Sequence, residues 1–197
     1  MKFPIMPGLL LWGAASFGCL AALASYKSEP GAQGVSIRRW PAGSAIRREA
    51  GRPTLVLFLH PRCPCTRVSV DELISILSRA PNRADLQVAF YTPSEADDDW
   101  ADTGARRLIA GLPGVTVHRD GDGVEARRFG AATSGHVLLY DSSGRLRFSG
   151  GITGARGHAG DNPGKRAVLD SLLGREAGLE SAPVYGCAIL EDGEVTP

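Results

Sequence analysis

The chain is poor in the features that usually announce a function. Its four cysteines, Cys19, Cys63, Cys65 and Cys187, are too few and too unevenly placed for a disulfide-stapled scaffold. Neither charge dominates, the formal net being +1, and no basic face interleaved with aromatics is present, so nothing suggests a nucleic-acid partner. The glycine-rich stretch 150–164 is no phosphate loop: no glycine stands five residues before Gly164, and Arg166 follows Lys165 where Ser or Thr should. Asp120-Gly121-Asp122-Gly123 is a turn too short for a calcium loop. The run Asp97-Asp98-Asp99 reads as the solvated start of a helix, since adjacent side chains diverge and acidic residues suit a helix N-terminus. Function has to be sought in where the cysteines lie.

The stretch 54–80 organises the rest. Leu55 to Leu59 is an unbroken apolar run of strand-formers, as in a strand buried on both faces. His60-Pro61-Arg62 breaks it, and Pro64 suits the first turn of a helix. Val70, Leu73, Ile74 and Leu77 then mark one apolar helical face, closed by Ala80-Pro81-Asn82. Cys63 and Cys65 therefore sit where a strand hands over to a helix. First-turn N–H groups and the helix dipole stabilise a thiolate there, and Arg62 and Arg67 place positive charge nearby.

Downstream, Leu86–Tyr91 reads as a second strand, giving a parallel strand–helix–strand unit. Ala105–Ala110 is helical, Val115–His118 a short strand, and Val124–Gly130 a helical turn. His136–Tyr140 and Arg145–Ser149 form a hairpin around Asp141-Ser142-Ser143-Gly144. Lys165–Gly174 is a final amphipathic helix, and the tail's one pointed feature is Gly186-Cys187. Before the organising unit, Val35–Trp40 is expected as an edge strand and Ala45–Ala50 as a short helix.

Residues 3–26 carry no charge and are long enough to span a bilayer, for which about 20 residues suffice. Ala22-Leu23-Ala24 resembles a signal-peptidase site, but no polar spacer precedes it. An uncleaved signal anchor over 1–26 is expected, with a cleaved signal peptide as the alternative. Cys19 is expected as a small apolar residue of that helix. A tether, 27–34, would lead to a folded domain, 35–177, and a tail, 178–197. An N-terminal segment of this kind exports the domain behind it, to a compartment where disulfides persist.

The order strand, cysteine corner, helix, strand, helix, hairpin, helix resembles the thioredoxin fold: an α/β three-layer sandwich with a central mixed sheet. Two stretches carry the likeness, Leu57-Phe-Leu-His-Pro-Arg-Cys-Pro-Cys65 and Arg128-Phe-Gly-Ala-Ala-Thr-Ser-Gly-His-Val-Leu-Leu-Tyr140. The membrane segment, the Cys-Pro-Cys motif, Thr133-Ser134-Gly135 and the distal Gly186-Cys187 together resemble the bacterial RedB-like group of thioredoxin-like proteins. The chain departs from the ordinary family pattern in its Cys-x-Cys spacing, in Arg62 before the first cysteine, and in Gly135 where the family has a cis-proline.

The resemblance implies thiol–disulfide exchange with protein or small-molecule thiols, and no cofactor. Residues two apart on a helix point roughly 200° from one another, so Cys63 and Cys65 can bridge only if Cys63 lies outside the helix. That small ring would be strained and labile; alternatively one of the pair bonds Cys187. The expected roles are Cys63, taken as the more exposed, as attacking thiolate and Cys65 or Cys187 as resolving thiol. Arg62, Thr133, Ser134 and Gly135 would face the substrate. Two other readings are a metal-binding protein, holding Cu or Zn through His60, Cys63 and Cys65 with His136 or Cys187 closing the set, and a domain whose cysteines are structural. His118 and His158 are read as loop polar residues.

Overall fold

All six residues of β1 (Thr54–Leu59) are buried, because the strand sits mid-sheet with an apolar layer on each face. The structure, a computed structural model, describes residues 5–190. The start of the expected membrane segment and positions 191–197 of the expected tail lie outside the described residues.

After α1 (Ile5–Ser28) and β1 come α2 (Thr66–Arg79), β2 (Asp85–Thr92), α3 (Gly104–Ala110), β3 (Val115–Gly121) and α4 (Val124–Phe129). Next in the chain are β4 (His136–Tyr140), β5 (Leu146–Gly151), α5 (Pro163–Leu172) and β6 (Ser181–Ala182). The six strands form one mixed sheet in the order β3-β2-β1-β4-β5-β6. β1 runs parallel to β2, with Leu57 opposite Val88, and antiparallel to β4, with Phe58 opposite His136.

Alternation along the strands sorts the core. Leu55, Leu57 and Leu59 face a cluster with Val70, Leu73 and Ile76 of α2, Ile109 of α3, and Ala167, Val168 and Leu172 of α5. Val56 and Phe58 face the other way, onto Ala126 and Phe129 of α4, Tyr140, Ile46, and Ile189 and Leu190 of the tail. The expected three layers are present. The buried stripe of α2 includes Ile76, while Ile74 and Leu77 are only partly buried. The stripe is thus rotated slightly from the face marked by its apolar residues.

Several expectations are corrected. Residues 35–40 form no strand; one antiparallel bridge, Arg39 to Arg145, joins them to the start of β5. The sheet edge beside β2 is β3, longer than expected because its pairing with β2 runs on to Gly121. Residues 45–50 are not helical; Glu125 accepts from the Ser44 hydroxyl and the Ala45 N–H and ties the bend at 45–46 to α4. α5 begins at Pro163, because Asn162 accepts from the Lys165 N–H at 2.9 Å and Pro163 opens the first turn. Asp97 caps the short 3-10 turn Asp98–Ala101 by accepting from the Trp100 N–H.

α1 is long and apolar enough to cross a membrane, and none of its 18-residue apolar window is buried against the rest of the chain. Its end is tied to the folded domain. The Arg156 N–H donates to Lys27 O at 3.0 Å, and the Arg156 guanidinium stands 4.9 Å from the Tyr26 ring centre.

Candidate functional site

At the carboxyl end of β1 the chain makes a tight turn that leaves both corner cysteines outside the helix. The Cys63 N–H donates to His60 O at 3.1 Å and the Thr66 N–H to Cys63 O at 3.0 Å. Cys65 is the N-cap of α2, two residues later than the Pro64 signal implies.

Exposure is the reverse of the expectation. Cys63 is buried, at 5%, and Cys65 is half-buried. The tail is the reason: the Cys187 N–H donates to the Cys63 sulfur at 3.3 Å and covers it. Cys63, Cys65 and Cys187 are free thiols, with Cys63 in the middle.

Burial pushes the Cys63 thiol up, yet it lies below the ordinary cysteine range. The Cys187 thiol and N–H, the Cys65 N–H and the Ser134 hydroxyl stabilise its thiolate, and these together outweigh burial. Ser134 Oγ accepts from the His60 N–H at 2.9 Å, and the Thr66 hydroxyl donates to His60 O at 2.8 Å. Thr66 Oγ1 lies 3.1 Å from Ser134 Oγ with its own hydrogen already used, so Thr66 Oγ1 and the Cys63 sulfur compete for the single Ser134 hydrogen.

Burial pushes the other two thiols up, and negative charge on Cys63 pushes them further. Cys187, which also donates its thiol hydrogen to Cys63, is pushed up to about 12. The positive charge that partly offsets this for Cys65 and Cys187 is Arg156. Arg62 instead lies over the Trp100 ring, 4.4 Å from its centre, and Arg67 pairs with Asp71 at 3.0 Å. Nothing local in the sequence marks Arg156, which reaches the thiols only because the glycine-rich loop folds back on them.

Of the remaining expected residues, Ser134 and Gly135 are at the site, but their N–H groups are engaged. Ser134 N–H donates to Cys187 O at 2.8 Å and Gly135 N–H to Phe58 O at 2.8 Å. The Thr133 hydroxyl donates to Ala32 O at 2.8 Å. Gly135 has φ +94°, and a Cβ there would lie 2.8 Å from Ser69 Oγ, so only glycine fits this entry into β4.

The set His60, Cys63, Cys65 and His136 is not brought together. His136 points to the α4 side of the sheet, where its Nε2 lies 2.7 Å from Ser149 Oγ. Among the described residues no group of three His, Cys, Asp or Glu is placed to hold a metal ion. His60 stacks on Tyr91 at 5.3 Å between ring centres and meets Trp100 edge-on at 5.7 Å. Burial, then the Arg62 charge, lowers its pKa, so the ring is neutral at pH 7. These rings, with Cys187 and Ala188, line a cavity of about 520 Å³ beside the thiols. His118 is a strand residue within 2.6 Å of Gln87 Oε1 rather than a loop residue.

No family model matches the chain, and no curated protein matches it. Solved structures do. A hypothetical protein from Sinorhizobium meliloti 1021 is 23% identical with TM-score 0.56, over 82% of this chain and 93% of that one. An uncharacterised conserved protein from Geobacillus kaustophilus is 19% identical with TM-score 0.54, over 83% and 92%. A secreted disulfide oxidoreductase of Mycobacterium tuberculosis is 20% identical with TM-score 0.42, over 66% and 84%. The fold is thioredoxin-like. At these identities the likeness carries the architecture alone, and the chemistry of this thioredoxin-like domain rests on its own residues.

Proposed function

We propose that this thioredoxin-like protein is a membrane-anchored thiol–disulfide oxidoreductase working outside the cytoplasm, and that its Cys-Pro-Cys corner and distal cysteine place it nearest the RedB-like group. The observation that carries the reading is the Cys63 sulfur, which lies beside two other thiols and accepts the Cys187 N–H at 3.3 Å, surroundings that favour its thiolate. One apolar N-terminal helix supports anchoring, and its place ahead of the folded domain fits a signal anchor that would export it.

In the reductive direction the Cys63 thiolate attacks one sulfur of a substrate disulfide. A Cys63–substrate mixed disulfide forms, the substrate S–S bond breaks, and the first substrate sulfur leaves as a thiolate that takes up a proton. The Cys63 charge that held up the neighbouring thiols is then gone, so Cys187 and Cys65 lose their protons more easily. Cys187, in hydrogen-bond contact with Cys63, attacks the Cys63 sulfur and expels the second substrate thiolate. One substrate disulfide has become two thiols, and two protein thiols have become a Cys63–Cys187 disulfide. A Cys63–Cys65 bond would close the smaller, strained ring, so Cys187 is the resolving thiol. The same steps run backwards when the protein is supplied oxidised.

Reduction of oxidised glutathione or insulin by the reduced chain, with mass mapping of the disulfide that accumulates, tests the reading. Turnover with a Cys63–Cys187 product is expected. No exchange with either substrate, and no thiol more reactive than a free cysteine, would overturn it.

A further inference from the structure

Where residues 33–39 run alongside β5, a cavity of about 480 Å³ opens that the thiol chemistry does not use. Arg38, Arg39, Arg145 and Arg147 line it. Backbone pairing gathers them: Arg39 and Arg145 form an antiparallel bridge, and the Leu146 N–H donates to Arg38 O at 2.9 Å. All four are exposed, and among the described residues none forms an ion pair. Glu180 is the one acidic lining residue against these arginines. Asp141, in range of the Arg147 charge, spends its carboxylate on the Ser143 N–H and hydroxyl and the Arg145 N–H. Like charges set opposite one another across a strand pair are destabilising, and a bound anion relieves that repulsion.

A second observation marks the same cavity. His136, 2% exposed, lines its inner end, with Nε2 2.7 Å from Ser149 Oγ, which lies 2.5 Å from Ser36 Oγ. His136 Nδ1 is buried without a hydrogen-bond partner, and an orphaned polar atom inside a fold calls for an explanation. The segment that joins α1 to the domain forms one wall. Its Gly31 N–H donates to Val184 O at 2.8 Å, and the side-chain amide of Gln33, a lining residue, donates to Ala182 O at 3.2 Å. Gln33 follows Ser28, the last residue of α1, by five positions, at most about 18 Å of chain.

We propose that this cavity binds a phosphate-bearing anion, and that its source is the headgroup of an acidic phospholipid in the membrane that α1 enters. Guanidinium forks pair bidentately with phosphate oxygens, and the half-buried Ser36 supplies a neutral hydroxyl beside them. Basic residues next to a membrane helix are drawn to acidic lipid. A seated headgroup fixes the face that the domain turns to the bilayer. This site shares with the proposed function only the anchoring by α1, and no step of the thiol chemistry passes through it.

The test uses the full chain in neutral detergent micelles and follows modification of each arginine by phenylglyoxal with mass spectrometry. Saturating dihexanoyl-phosphatidylglycerol, a soluble acidic lipid, is expected to slow modification of Arg38, Arg39, Arg145 and Arg147 at least about fivefold. Arg83 and Arg166, exposed elsewhere, should react as before. Inorganic phosphate at the same concentration separates the sources: weaker protection of the same four residues identifies the lipid, and equal protection overturns the lipid as source. No slowing by either compound, or equal slowing of Arg83 and Arg166, overturns the site itself. Arg39→Gln with Arg147→Gln, two exposed positions, is expected to weaken the lipid's protection of Arg38 and Arg145 at least about tenfold, the scale of one lost charge-assisted hydrogen bond. Unweakened protection in that variant also overturns the site. Turnover of oxidised glutathione, measured on the same samples, should not change with lipid, so the enzyme reading and this one stand or fall separately.

Discussion

The backbone N–H of Cys187 points at the sulfur of Cys63 across 3.3 Å, joining two residues 124 positions apart. It stabilises negative charge on Cys63, sets a second thiol beside it, and shields both from solvent.

Cys63→Ser is expected to abolish disulfide exchange, a loss of at least about a thousandfold given that the attacking thiolate itself is removed. Cys187→Ala is expected to leave the first step intact and stall the second. A stable mixed disulfide on Cys63 should then be seen by mass spectrometry. Cys65→Ser is expected to give a milder loss, since Cys187 still resolves.

The alkylation rate of reduced Cys63 should rise with a midpoint below the ordinary cysteine range, and that of Cys65 with a midpoint above it. Both directions come from the hydrogen bonds to one sulfur and the burial and charge acting on the other. Ser134→Ala removes one donor to Cys63 and is expected to move its midpoint upward. The pH profile of alkylation at each cysteine of the reduced full chain, resolved by mass spectrometry, measures this.

His136 is only 2% exposed, and burial lowers its pKa to about 4. The unfolded chain, with an ordinary histidine near 6.5, therefore binds a proton that the folded chain refuses between those values. The stability contributed by neutral His136 is fully present above about pH 6.5 and is lost as pH falls to about 4, a loss on the order of 3 kcal/mol. His136→Asn is expected to flatten this limb of a urea-unfolding series.

Glu72 of α2 and Lys165 of α5 form an ion pair at 2.5 Å with both side chains buried, and Glu72 also accepts from the Gly160 N–H at 2.6 Å. Glu72→Gln strands a buried ammonium and is expected to cost about 3–5 kcal/mol of stability by denaturant unfolding. Glu72→Gln with Lys165→Met should recover most of it.

α1 contributes nothing to the two core clusters. Deleting residues 1–28 is expected to move the protein from the membrane to the soluble fraction, with the unfolding midpoint nearly unchanged. The fractionation and a thermal scan measure both.

Local pattern alone determined the sheet's central strand, the corner at 60–65, the hairpin, and the helices α2, α3 and α5. Each rests on periodicity or a breaker within a dozen residues, such as Leu55–Leu59 ending at His60-Pro61. The apolar character of α1 was equally plain. What only tertiary structure decided involves partners far apart in the chain. The tail's pairing with residues 132–134 buries Cys63 and leaves Cys65 the more open thiol. Arg156 supplies the charge expected of Arg62 because the 150–164 loop folds back on the site, while Arg62 finds the Trp100 ring. The failed edge strand at 35–40 and the separation of His136 from the cysteines have the same origin. A strand's alternation says which residues share a face, but which face meets which segment is set by long-range packing.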